Sequence, residues 1–148
     1  MSEPTTGSVG IILDSSVIVA FERRRFDFER FVSEHAPPAI AAITAGELLI
    51  GVERANTPQR RSRREAFVQS IFDRVPIISF DLAQARLFAA HFADLTARGE
   101  MIGDRDLQIA VTALSLSFDL ASLNQREFSR VQGLSLANVT PYIGPLEA

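Results

Sequence analysis

Four acids stand where an apolar run gives way to a helix-compatible one: Asp14 after "VGIIL", Glu47 in "ITAGELL", and Asp104 with Asp106 in "GDRDLQIA". From Asp104 to about Ser117, the residues Asp106, Ile109, Ala110, Ala113, Leu114 and Ser117 recur at i, i+3, i+4, i+7, i+8 and i+11, so Asp106 heads the apolar stripe of a helix. A carboxylate on such a stripe must be paired, protonated or bound to a cation, because an unpaired buried charge is costly. Arg105 projects about 100° away around the helix and is a poor partner. Each acid also has an ordinary use. Asp14 and Asp104 can cap helices, and Thr44-Ala45-Gly46-Glu47 has the form of a capping box, in which Thr44→Ala would cost about 1 kcal/mol.

Taken together, the acids mark three strand-to-helix junctions that a parallel sheet would bring to one edge. Converging carboxylates repel one another unless a hard cation lies among them, and Mg²⁺ is the natural occupant, with Mn²⁺ as a substitute. Zinc fits less well: Cys is absent, and the two histidines, His35 and His91, lie in unrelated positions. Carboxylate-held Mg²⁺ activates water for attack on phosphorus, so the acids ask for a metal-dependent phosphodiesterase.

All 15 basic residues are Arg. The absence of Lys excludes a Walker phosphate loop, Schiff-base chemistry and a receiver-type site with Asp14 as nucleophile. A nuclease working through the 2′-hydroxyl would need an acid and a base, commonly His, and the two present are badly placed for that. A formal charge of -3 argues against a uniformly positive nucleic-acid coat and leaves room for a local site.

The elements that must position these acids alternate. "VGIIL" reads as a strand ending at Asp14, followed by a helix in "SSVIVAFE"; "FDFERFVSEH" is a helix stopped by Pro37-Pro38; "AIAAI" at 39–43 is a second strand running into "TAGELLIGVERA". Thr57-Pro58 opens a helix to about Asp73, "VPIIS" is a third strand, and a long helix runs from its cap Asp81 to Gly99. After the Asp104 helix come "DLAS", a short helix around 125–130 and a last strand near "LSLANV". This alternation predicts a single α/β domain over 1–148, with a core of about 9–140, loose ends at about 1–8 and 141–148, a parallel sheet covered by helices on both faces, and a site at the carboxyl ends of the strands.

"IILDSSVIVAFE", "ITAGELLIGV", "IGDRDLQIAVTAL" and "ASLNQREFSRVQGL", in this order and spacing, resemble the PIN-domain ribonucleases, and most closely the VapC toxins of bacterial toxin-antitoxin pairs, over about residues 9–137. The resemblance implies a three-layer α/β/α sandwich with a parallel sheet of four or five strands, usually dimeric. It implies that Asp14 and Asp106 are direct Mg²⁺ ligands, that Glu47 orients water, and that Asp104 is an additional acid. Asn124, four residues before Phe128, takes the last polar position, where it accepts from water but adds no charge. Ser15 and Ser16 resemble the polar pair that backs the first acid. Metal-dependent cleavage of RNA, often tRNA or rRNA, and silencing by a cognate antitoxin are likewise what the resemblance implies.

Two Arg clusters are candidates for phosphate contact. Arg23, Arg24 and Arg25 lie nearer in sequence to Asp14 and are favoured for RNA contact; Arg60, Arg61, Arg63 and Arg64 read rather as a solvated helix face. The eleven Phe read mostly as core and dimer interface. A non-catalytic module that binds RNA or a protein through the same groove is the competing reading, and the four acids speak against it. No apolar run approaches the roughly 18 residues of a membrane span. With no Cys and no targeting segment, a cytoplasmic location is expected.

Overall fold

The computed structural model of the chain describes residues 8–146. Four short strands form one parallel sheet: β1 (Ile11–Leu13), β2 (Pro38–Ala41), β3 (Ile77–Ile78) and β4 (Asp119–Ala121), in the order β3-β2-β1-β4. Seven α-helices accompany them: α1 (Ser15–Glu22), α2 (Phe28–Glu34), α3 (Ala42–Glu53), α4 (Pro58–Arg74), α5 (Leu82–Arg98), α6 (Asp104–Leu116) and α7 (Gln125–Phe128).

Side chains of a strand alternate between faces, and β1 divides its own between two cores. Ile11 and Leu13 join a cluster with Val17 and Ile18 of α1, Phe28 and Phe31 of α2, Leu48 of α3 and Ile71 of α4. Ile12 joins the other, with Leu95 of α5, Leu107 and Val111 of α6 and Phe128 of α7. With both faces of the sheet buried under helices, the fold is the expected three-layer α/β/α sandwich. The strand near "LSLANV" is reduced to one parallel bridge between Leu120 and Leu136, so the sheet has four strands among the described residues.

The chain steps from β1 outward to β2 and β3, then returns to place β4 on the other side of β1. In a parallel sheet this reversal opens a crevice at the carboxyl ends of the two strands between which the order turns back, here β1 and the edge strand β4. Their register pairs Leu13 with Ala121, so Asp14 and Ser122 follow abreast.

Three local expectations are corrected. The capping box does not form: β2 runs directly into α3, whose cap is Ala41, and Thr44 lies inside the helix with its hydroxyl buried and unpartnered. Asp104 does not cap α6, because Gly103 holds the extended cap conformation and Asp104 is the first helical residue. Asp14 occupies the cap position of α1 but makes no capping hydrogen bond.

The carboxyl-terminal segment is held. Tyr142 is buried and donates to Glu34 Oε1 at 2.6 Å, Ile143 bridges to Phe26, and the Gly144 and Leu146 amides donate to the carbonyls of Arg25 and Arg24 at 2.9 and 3.0 Å. Expectations for residues 1–7 and 147–148 lie outside the described residues.

Candidate active site

Asp14 ends β1 in a position only 5% exposed. Its Oδ2 accepts from Ser16 Oγ and from Ser122 Oγ, each at 2.7 Å. These hydroxyls are themselves fixed: Leu123 N–H donates to Ser16 Oγ at 3.0 Å and Asn124 N–H to Ser122 Oγ at 2.8 Å. The two amides thus orient the two hydroxyls, and the hydroxyls fix the Asp14 carboxylate by its Oδ2. Ser122 was not among the residues singled out from the sequence. Its signal, a small polar residue directly after a strand, becomes specific only once β4 is known to lie beside β1.

Asp106 approaches from the first turn of α6, half-buried, where the amino end of the helix favours negative charge. Its carboxyl is pushed up to about 6, first by burial, then by the Asp14 charge, then by a hydrogen bond with Glu127 and that residue's charge, and least by Glu47. The acids therefore share one electrostatic environment in which adding a positive charge is favourable. Glu127, carried by α7, is the second residue sequence reasoning missed. Asn124 stands beside it, its Nδ2 donating to Glu127 Oε1 at 3.5 Å.

Glu47 sits on α3 with Oε1 buried and without a partner, while Oε2 accepts from Arg105 Nη1 at 3.5 Å. Arg105 thus turns away from Asp106 to Glu47. Asp104 is exposed on α6 and does not line the cavity.

A cavity of about 490 Å³ opens over Asp14 and Asp106, but not Glu47, and is lined by these two with Ser15, Ser16, Arg23, Arg25 and Asn124, and with Val19, Ala20 and Leu123 as its apolar wall. The structure thus brings together Asp14, Asp106, both serines, Asn124 and two of the three arginines of the first cluster. Arg24 lies between these two at φ 60°, a left-handed backbone conformation that reverses the chain after α1.

The donor set fits a hard cation. Asp14 and Asp106 offer carboxylate oxygens, Asp106 is destabilised when ionised alone, and the orphaned Glu47 oxygen has lost its water without gaining a donor. Among the described residues no three His, Cys, Asp or Glu side chains form a complete cage. The histidines lie elsewhere: the His35 ring stacks on Phe31 at 4.1 Å, and His91 lies on α5 with its Nδ1 buried and unpartnered.

Residues 11–134 match the PIN domain. The chain belongs to the PIN-domain family. The matched span runs from the first residue of β1 past α7 and includes every acid of this PIN site. Ribonuclease VapC1 of Rickettsia felis is 33% identical over 132 residues, covering 89% of this chain and 98% of that one. The tRNA(fMet)-specific endonuclease VapC of Shigella flexneri is 31% identical over 106 residues, 72% of this chain and 78% of that one. Among solved structures, VapBC-5 of Mycobacterium tuberculosis, a member of the VapBC family of toxin-antitoxin systems, superposes with a TM-score of 0.70 at 26% identity, covering 86% of this chain and 94% of that one.

Proposed function

We propose that this PIN domain is a metal-dependent endoribonuclease and the toxin of a toxin-antitoxin pair. The observation that carries the reading is the pair Asp14 and Asp106 at the mouth of one cavity, on adjoining elements at the switch point of the sheet, in a chain similar over most of its length to proteins named as ribonucleases.

Asp14 and Asp106 would hold Mg²⁺, or Mn²⁺ in its place, which supplies Lewis acidity and eases removal of a proton from water. Ser16 and Ser122 hold the Asp14 carboxylate in place through its Oδ2. Glu47, whose Oε1 is buried without a partner, would orient water and accept the proton that water gives up. Arg23 and Arg25, on the cavity rim, supply positive charge for RNA phosphates, so the acids repel the polyanion less. The four acids Asp14, Glu47, Asp104 and Asp106 speak against a silent binding module.

Transfer RNA or ribosomal RNA is the substrate class, by similarity to a relative named for tRNA(fMet). A cognate antitoxin would cover the cavity, as the likeness to a toxin-antitoxin system suggests. A homodimer goes with this reading, and Phe92, 40% exposed and stacked on Phe88 at 6.1 Å, offers apolar surface for it. No helix among the described residues is long and apolar enough to cross a membrane, and an RNA substrate puts the site of action in the cytoplasm.

The test is incubation of the purified, antitoxin-free protein with total RNA in Mg²⁺, Mn²⁺ or EDTA, with the product ends mapped. Metal-dependent cuts leaving 5′-phosphates support hydrolysis; cyclic 2′,3′-phosphate ends in EDTA would overturn it.

A further inference from the structure

A second cavity of about 480 Å³ lies between α3 and α4, walled by Arg54, Arg60, Arg63 and Arg64, with Glu22 as its one acid. Arg64 Nε pairs with Glu22 at 2.7 Å. Arg60 donates to the neutral Asn56 Oδ1 at 2.8 Å, and Arg54 and Arg63 have no ion pair among the described residues. Arg61, by contrast, faces Glu53 at 3.0 Å and does not line the cavity. Three guanidinium charges are thus gathered without a counter-charge on a chain of formal charge -3, an arrangement that a bound anion relieves.

The lining distinguishes the kind of anion. It holds no aromatic and no large aliphatic side chain, so it lacks the apolar anchors on which a protein partner depends. Guanidinium forks match phosphate oxygens. Gly51 adds a specific accommodation: a Cβ there would come within 2.7 Å of Arg64 Nη1, so the glycine lets that side chain lie across α3. The cavity is also continuous in sequence with the acid site, because Glu22 closes α1 while Arg23 and Arg25, next along the chain, line the carboxylate cavity.

We propose that this arginine cleft binds the RNA backbone at phosphates some nucleotides from the bond that is cut. The cleft fixes where a long RNA lies relative to Asp14 and Asp106. It rests on the ribonuclease reading for its ligand, and on its own geometry for its place.

The test measures binding of a transfer RNA mixture to the full chain in an Asp106→Asn background, as a function of salt, beside cleavage by proteins that retain Asp106. Arg54→Gln/Arg63→Gln is expected to weaken binding about tenfold and to lower the slope of log K against log salt by roughly 1.5. In cleavage, its KM should rise about tenfold with kcat within twofold. Arg61→Gln should behave as wild type. Gly51→Ala should weaken binding without lowering the melting temperature, since alanine favours the helix and only the Arg64 tip must move. Unchanged affinity and salt slope in the double variant, or an equal loss in Arg61→Gln, would overturn the proposal. So would a loss confined to binding of an acidic protein partner. Arginine-dependent RNA binding by a protein that cuts nothing would keep the cleft and remove the ribonuclease reading; normal cleavage with unchanged KM in the double variant would do the reverse.

Discussion

Ser122 Oγ donates to Asp14 Oδ2 at 2.7 Å across 108 residues of sequence, from one strand end to the end of its parallel neighbour. The contact ties the first acid of the site to the pairing of β1 with β4. Ser122→Ala removes one of two donors to a buried carboxylate and leaves the Asn124 amide without its acceptor. The expected cost is about 1–3 kcal/mol of stability and a ten- to hundredfold rise in the Mg²⁺ concentration needed for half-maximal activity. Urea unfolding and a metal titration of activity check both; an unchanged midpoint would remove Ser122 from the site.

Asp106 makes the metal-free protein sensitive to pH. Its carboxyl is raised to about 6 in the folded chain, against about 3.9 when unfolded, so the folded state favours the protonated form. The stability this provides is fully present below about pH 4 and is lost as pH rises through about 6. In EDTA, Asp106→Asn should therefore exceed wild type by about 1 kcal/mol at pH 7.5, a figure discounted for solvent screening, and match it below about pH 4. Denaturant curves across that range are the measurement. A variant less stable than wild type at neutral pH would contradict the assignment.

Glu127 raises Asp106 through its hydrogen bond and charge. Glu127→Gln should bring the Asp106 titration down toward the ordinary aspartate range, which carboxyl ¹³C shifts followed with pH in EDTA would report. Mg²⁺ affinity should fall severalfold with it, because less negative charge faces the cation. An unmoved titration would mean that burial, Asp14 and Glu47 set it without Glu127.

Thr44 carries a buried hydroxyl with no partner, where a capping role had been expected. Thr44→Val, of nearly the same shape, should be neutral or stabilising by about 1 kcal/mol. A loss of that size in thermal unfolding would show that the hydroxyl has a partner after all.

Much of this architecture was legible in the residues. Short apolar runs ending in an acid, helices marked by Thr57-Pro58 and Gly99, and Asp106 at the head of an apolar stripe define the layers and the pair of acids. What was not legible depends on proximity between distant segments. Ser122 and Glu127 acquire meaning only from β4 lying beside β1 and α7 packing behind it, and nothing in "DLASLNQREF" announces that neighbour. The capping box misled because β2 enters α3 without a connecting residue, which moves the helix start ahead of Thr44. The carboxyl-terminal segment, expected to be loose, is secured by Tyr142, packed edge-on against Phe31 at 5.1 Å, and by the backbone contacts of Ile143, Gly144 and Leu146 to residues 24–26.

In the mechanism we propose, Asp14 and Asp106 together hold the cation that drives RNA cleavage. The most direct test is single-turnover cleavage of a transfer RNA mixture in Mg²⁺ and in EDTA by wild type, Asp14→Ala, Asp106→Ala and Asp104→Ala, each shown to be folded. The expected result is metal-dependent cleavage by wild type, its loss by at least a thousandfold in Asp14→Ala and Asp106→Ala, and only a modest reduction in Asp104→Ala, whose side chain is exposed outside the cavity. Cleavage that persists in EDTA, or an equal loss in Asp104→Ala and Asp106→Ala, would contradict it.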